Sequence, residues 1–348
     1  MNTPLLEALR PDTIAVFRAL QLGDMLCAVP ALRALRAACP RARITLVGLP
    51  WARTFAGRFS RYLDDFIPFP GHPDLPERIP DAEVFPDFLA RMRNRNFDLA
   101  IQLHGDGSIT NGLIGSFGSK TVAGFGRAPE GSTGAFLPYP DSGPEIRRLL
   151  ALTTFLGAPE QGEELEFPLT YSDYTELAAT GLARDLEPNG YICVHPGARA
   201  IERRWPAENF AAVANALHAD SGLTVVLTGS EQESALTAAV KAETHAPTVD
   251  AALRISSGAL AVLIAGARLL ICNDTGVAHL AAALKIPCVI VFRGSDLARW
   301  APLDRGLHRP VAIGSEEGAD EAVNKVLAQA RSLLAAVESD ATAPAPAR

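Results

Sequence analysis

Hydrophobic and polar positions follow two periods that take turns along the chain. Short apolar runs bounded by turn residues, such as Thr-Ile-Ala-Val-Phe at 13–17 and Leu-Leu-Ile-Cys at 269–272, predict buried strands. Segments with apolar residues three and four apart follow them and predict helices with one covered face. On this reading strands lie at 13–17, 43–48, 66–69, 97–103, 120–125, 191–195, 223–228, 248–250, 269–272 and 288–292. Helices fall at 87–95, 145–156, 173–185, 207–219, 234–243, 258–265 and 320–337. Two more follow the spacing of Met25, Val29, Leu32 and Leu35, and of Val277, Leu280 and Leu284. Pro30 either kinks its helix or marks its first turn. Strand-helix alternation that runs its course twice predicts an α/β protein of two domains. The boundaries are 1–165 for the first domain and 166–338 for the second, with 339–348 a disordered tail whose Ala-Pro repeats have too little to bury. Residues 68–86 and 126–144, rich in proline or glycine, read as loops, and 157–169 as the inter-domain segment.

Composition narrows the class. At 348 residues, 48% hydrophobic and 20% charged, the chain has apolar material for two cores. A net charge of −7 argues against nucleic acid as a partner. The charge is uneven: residues 1–150 hold 17 Lys+Arg and 15 Asp+Glu, net +2, leaving 32−17=15 against 39−15=24, net −9, for the remainder. The first half therefore suits an anionic partner or a membrane surface better than the second. Cys27, Cys39, Cys193, Cys272 and Cys288 form no Cys-x-x-Cys pair and read as small buried hydrophobes of a reducing compartment. With no signal peptide and no apolar run near the ~20 residues that span a bilayer, the expected location is cytoplasmic.

The candidate chemistry gathers where strands give way to helices. At 269–284 a strand ends in Asn-Asp-Thr-Gly and a helix begins, with Gly276 allowing a ligand close to free backbone N–H groups. Such a helix start favours an anion by ~0.3–1 kcal/mol. The alternative use of the same residues is Asp274 or Thr275 as a helix cap. Two further loops of the second half reach the same edge: one brings Arg203 and Arg204, able to neutralise phosphate, the other Glu231 and Glu233, able to bind ribose hydroxyls. Together they supply what a nucleoside diphosphate needs. In the first half Gly23-Asp24 lies at a strand-to-helix turn, where Asp24 is either a functional carboxylate or an N-cap. His104, in a His-Gly-Asp-Gly loop, and Asn111 one turn later share that edge, and Gly23, His104 and Asn111 are read as acceptor or sugar contacts. The chain has no Gly-x-x-x-x-Gly-Lys-[Ser/Thr], no Gly-x-Gly-x-x-Gly at its first turn and no Asp-x-Asp. These absences argue against phosphate-loop ATPase chemistry, a dehydrogenase and metal-chelating sugar transfer.

Leu22-Gly23-Asp24 with Pro30-Ala-Leu, His195-Pro-Gly-Ala, Arg203-Arg-Trp-Pro, Thr228-Gly-Ser and Asn273-Asp-Thr-Gly-Val-Ala-His279 occur in the order that resembles glycosyltransferase family 9, the ADP-heptose:lipopolysaccharide heptosyltransferases. The resemblance implies a GT-B fold, two Rossmann-like domains facing a central cleft with acceptor on the N-terminal side and nucleotide sugar on the C-terminal side. It also implies an inverting transfer without a metal or other cofactor, from an ADP-linked sugar to a lipid-linked or polysaccharide acceptor, with peripheral contact at the inner membrane. Asp24 resembles the family's general base. Asp274 resembles the residue that holds the donor sugar, and Thr275 and Gly276 its pyrophosphate ligands. His279 lies one helical turn beyond Thr275, a spacing that lets it face the same cleft. Arg203 stands where the family usually has Lys, and the ribose-binding carboxylate aligns with Glu231 or Glu233. Two other functions fit the same scaffold: a non-catalytic nucleotide-sugar-binding protein and a sugar-nucleotide epimerase.

Overall fold

A computed structural model describes residues 3–128, 134–253 and 255–342, and the chain divides into two compact units, Met1–Pro168 and Leu169–Arg348. The first contains β1 (Thr13–Phe17), β2 (Arg43–Gly48), β3 (Asp65–Pro68), β4 (Leu99–Gln102), β5 (Thr121–Phe125) and β6 (Gly134–Leu137), all parallel, in the order β3-β2-β1-β4-β5-β6. The second contains β7 (Tyr191–His195), β8 (Thr224–Thr228), β9 (Thr248–Ala251), β10 (Leu269–Asn273), β11 (Cys288–Phe292) and β12 (His308–Ala312), also parallel, in the order β12-β11-β10-β7-β8-β9. Counted from its own first strand, each sheet has the same doubly wound order, so each has one switch point, between β1 and β4 and between β7 and β10.

The apolar runs explain which strands are central. Helices cover both faces of a parallel sheet, so its inner strands are apolar throughout. Val16 of β1 pairs with Leu46 and Ile101, and Ile271 of β10 with Val194 and Val289, all buried. An edge-to-face set of Phe17, Phe69, Phe88 and Phe117 fills the first core, each ring contributing ~1.5–3 kcal/mol by burial. The second core joins Val194, Leu227 and Ile271 to Phe210 and to Val326 and Ala330 of the last helix. The five cysteines are buried and unbridged.

The structure departs from expectation at the margins. The awkward Pro30 resolves into two helices, Leu22–Cys27 and Val29–Ala38. Ala28 donates its N–H to the Met25 carbonyl at 3.1 Å, and Pro30, which has no N–H to continue a helix, sits in the first turn of the next. The edge strands β6 and β12 were not expected. One is short and lies in a glycine- and proline-rich stretch, and the other holds Pro310, which only an edge tolerates. The helix expected at 173–185 is Tyr171–Thr180, ended by Gly181 at φ 72°. The last helix, Ala319–Thr342, runs into the stretch read as a disordered tail from 339. Residues 343–348 of that stretch lie outside the described residues. Among the described residues no helix is long and apolar enough to cross a membrane.

Candidate functional site

In the first unit the chain leaves β1 through Arg18–Gln21 and enters the helix Leu22–Cys27, whose N-cap is Gln21. Asp24 is the third helical residue, so the capping role open to it in the sequence is not the one it takes. Its carboxylate is partly exposed, and among the described residues nothing bonds or pairs with it. Gly23, the residue before it, is buried. His104, at the end of β4, is buried, with its ring stacked on Phe17 at 5.4 Å and 12°. Its Nδ1 accepts the Ala19 N–H at 3.3 Å, which assigns the proton to Nε2, 3.7 Å from Glu77 Oε1. Asp24, in the helix after β1, and His104, just past β4, thus follow the two strands that flank the first switch point.

Asn111 takes a different part from the one expected. Its amide Nδ2 donates to the carbonyls of Phe125 (2.7 Å) and Arg127 (2.8 Å), and its Oδ1 accepts from Gln102 Nε2 at 3.3 Å. The side chain fixes the loops after β4 and β5 and has no amide hydrogen left for a sugar. Gly107 makes room for it: at φ 89° a Cβ there would lie 2.3 Å from Asn111 Nδ2.

In the second unit three loops meet at the switch point between β7 and β10. Asn273, the last residue of β10, anchors the loop after β7, accepting the Trp205 N–H at Oδ1 (3.0 Å) and donating from Nδ2 to the Pro196 carbonyl (2.8 Å). Trp205 is thereby drawn into the core, and Arg203 just before it reaches Asp274 Oδ2 at 3.4 Å. Asp274 is buried and Arg203 about a third exposed, so the pair has a solvent-facing cation over a sheltered carboxylate. Arg204 points elsewhere, its Nε donating to the Ala198 carbonyl at 2.8 Å, while Arg293 donates to the Arg204 carbonyl. The two arginines are therefore not equivalent.

The helix Gly276–Leu284 has Thr275 as its N-cap residue, yet neither Asp274 nor Thr275 caps it by a side-chain bond. Backbone N–H groups of the first turn are left for an anion, beside Arg203. His279, one turn on, is buried, with Trp300 edge-on at 6.4 Å.

The two candidate glutamates also separate. Glu231 is exposed. Glu233 is half-buried and closes a capping box, one oxygen accepting from the Ser230 N–H (2.9 Å) and hydroxyl (2.8 Å). The other oxygen lies over Gly197, where a Cβ would come within 2.1 Å of it. Burial pushes the Glu233 carboxyl up, but the Ser230 N–H bond, His195, the Ser230 hydroxyl and Arg204 together hold it below the usual carboxylate range. His195, buried with Nδ1 3.1 Å from Thr228 Oγ1, is pushed below its ordinary value by burial, and the Glu233 charge only partly opposes this.

Asn273 and the buried pair Arg18–Glu145 carry much of this geometry and were not singled out as site residues. A polar residue directly at the end of an apolar strand run was the available signal for Arg18 and Asn273. Glu145 gave none, because an acidic first helical residue is ordinary.

Residues 88–326 match glycosyltransferase family 9 (heptosyltransferase). Lipopolysaccharide heptosyltransferase 3 of Escherichia coli is 32% identical over 140 residues, which are 38% of this chain and 41% of that protein, so the match spans about two fifths of the relative's length. A glycosyl transferase of family 9 from Veillonella parvula DSM 2008 superposes with a TM-score of 0.78 at 18% identity, over 93% of this chain and 98% of that one. The E. coli ADP-heptose lps heptosyltransferase II gives 0.72 at 22% identity, over 94% and 99%. These likenesses place the two parallel sheets in the GT-B class of folds. With the family matched across well over half its length and the family's motif blocks standing at both switch points, the chain belongs to glycosyltransferase family 9.

Proposed function

We propose that this protein is an inverting, metal-independent glycosyltransferase that moves a heptose from ADP-heptose to a lipopolysaccharide or other cell-envelope glycan. The observation that carries the reading is the pairing, on one chain, of a partnerless carboxylate at one switch point with an anion-binding cluster at the other. Asp24 takes the proton of an acceptor hydroxyl as its oxygen attacks the anomeric carbon. The bond from that carbon to the diphosphate breaks on the opposite side, so configuration inverts. A positioned base of this kind contributes about 10²–10⁴ in rate. The departing diphosphate takes up charge, which Arg203 and the N–H groups at Gly276 and Val277 meet without a metal ion. Asp274, Thr275 and His279 hold the donor sugar and its phosphates. Glu233, fixed by Ser230 and turned over Gly197, binds the ribose hydroxyls in preference to the exposed Glu231. Asn111, its amide committed to backbone, is left out of the acceptor contacts, and His104 is kept.

The ADP-linked donor is supported by family membership and by the substrate in the name of the E. coli ADP-heptose lps heptosyltransferase II. A lipid-linked acceptor and peripheral contact with the inner membrane fit the net +2 of residues 1–150 and the exposed Ile79 and Val84 in the loop after β3. A thermal-shift panel of ADP, UDP, GDP and dTDP tests the donor. ADP should stabilise most, and a larger shift with UDP or dTDP would remove the heptose assignment while leaving sugar transfer standing.

A further inference from the structure

We propose that Arg18 is a positioning residue for Asp24, acting through the backbone with Glu145 as its counter-charge; the inference rests on the reading of Asp24 as the base. Arg18 follows β1 directly and is 1% exposed, the bulkiest of the fully buried side chains among the described residues. Its guanidinium makes three bonds. Nε donates to the Asp24 carbonyl at 2.9 Å, Nη1 to the Leu103 carbonyl, and Nη2 to Glu145 Oε1 at 3.3 Å. Those partners belong to the helix that carries Asp24, the end of β4, and the start of the helix Glu145–Leu156.

Stability alone does not explain an arginine here. Desolvating an ion pair is costly, and apolar residues of similar volume often serve a core as well or better. An apolar residue cannot hold three acceptors in one plane, which the guanidinium fork does. The Asp24 carbonyl has reason to need it. The helix Leu22–Cys27 stops after six residues, and the Ala28 N–H turns to Met25, leaving Arg18 Nε as a partner for Asp24. So short a helix does not hold its orientation by internal bonds. The segment leading into it is fixed as well, Arg18 N–H by the Val47 carbonyl (3.0 Å) and Ala19 N–H by His104 Nδ1 (3.3 Å). With no side-chain partner of its own, the Asp24 carboxylate is aimed by its backbone, and Arg18 fixes that backbone. A displacement of about 1 Å in a reacting group is enough to cost ~10²-fold in rate.

Two variants test this. Arg18→Gln with Glu145→Gln removes both charges together and leaves no buried ion alone; Arg18→Lys keeps the charge and loses the fork. Turnover with ADP-heptose and ADP affinity by calorimetry are measured with Asp24 and with Asp24→Asn. The double variant should lower kcat about 10- to 100-fold. ADP affinity should change less than about twofold, since the nucleotide cluster is in the other unit, and Arg18→Lys should recover part of the loss. Placed on Asp24→Asn, the same changes should alter residual turnover by less than about twofold, because Arg18 acts through that carboxylate. Unchanged kcat in the double variant, an equal loss on both backgrounds, or ADP affinity falling in step with kcat would each overturn the proposal. If the double variant does not fold, a wild-type kcat for Arg18→Lys overturns it, and a loss of kcat confined to the Asp24 background supports it. Wild-type turnover in Asp24→Asn alone would instead sink the base assignment, whatever the Arg18 variants do.

Discussion

The two halves of the molecule share a strand order and differ in what they place at the switch point. In the first, a six-residue helix presents one carboxylate, braced from below by a buried arginine. In the second, a nine-residue helix presents an uncapped N-terminus, with a cation-carboxylate pair beside it. A diphosphate would be repelled by the first arrangement and held by the second. The common order of strands fixes where a ligand meets each sheet, and the charge of the loops decides which ligand that is.

The contrast can be broken most forcefully at Asp24. Asp24→Asn should lower turnover about 10²- to 10⁴-fold and leave ADP affinity unchanged; full activity would mean the halves do not divide the labour this way. Next comes the difference between the arginines. Arg203→Ala removes the cation over Asp274 and should weaken ADP binding by about 10- to 100-fold, the scale of a charged hydrogen bond. Arg204→Ala, whose side chain holds the Ala198 carbonyl, should have a clearly smaller effect on titration with ADP, and equal losses would erase the distinction. A smaller change is expected at Gly197. An alanine there forces Glu233 aside and should weaken ADP about tenfold without altering kcat at saturation, the low end for a hydrogen bond to a charged group. Unchanged affinity would take Glu233 out of ribose binding.

The slightest effect is on stability against pH, and it belongs to the second unit. Burial lowers the His195 pKa, so the unfolded chain takes up a proton there before the folded one does. The contribution is therefore full above pH 6.5, the ordinary imidazole value, and declines as pH falls from there toward the folded value. Glu233, also lowered, keeps its contribution above the ordinary carboxyl value of 4.5 and loses it below that. Thermal unfolding between pH 7 and 5.5 should show a modest fall in Tm that His195→Gln flattens. An identical slope in that variant would assign the titration to another group.

Much of the fold was legible because parallel sheets write their inner strands as unbroken apolar runs. β1, β2, β7 and β11 fall where the sequence puts them. The edge strands β6 and β12 were hidden because half-covered edges accept glycine and proline. At the site, the sequence put Asp24 at the passage from β1 into a helix and brought the loops of Arg203 and Asp274 to one edge, and the structure has them there. The part Asn111 takes was not legible: the sequence places it beside the switch point, and only the fold shows its amide donating to the carbonyls of Phe125 and Arg127. Spacing alone treats Glu231 and Glu233 alike, and only the fold shows that Glu233 closes a capping box while Glu231 is exposed.

Asn273 has a consequence beyond its own hydrogen bonds. One amide answers a carbonyl and an N–H near the two ends of the loop that follows β7, so neither a carboxylate nor an aliphatic chain of equal size can replace it: the first cannot donate, the second does neither. A residue with no assigned ligand contact thus pins the loop that carries Arg203 to the strand end from which the helix start follows, and a catalogue of ligand contacts would leave it out.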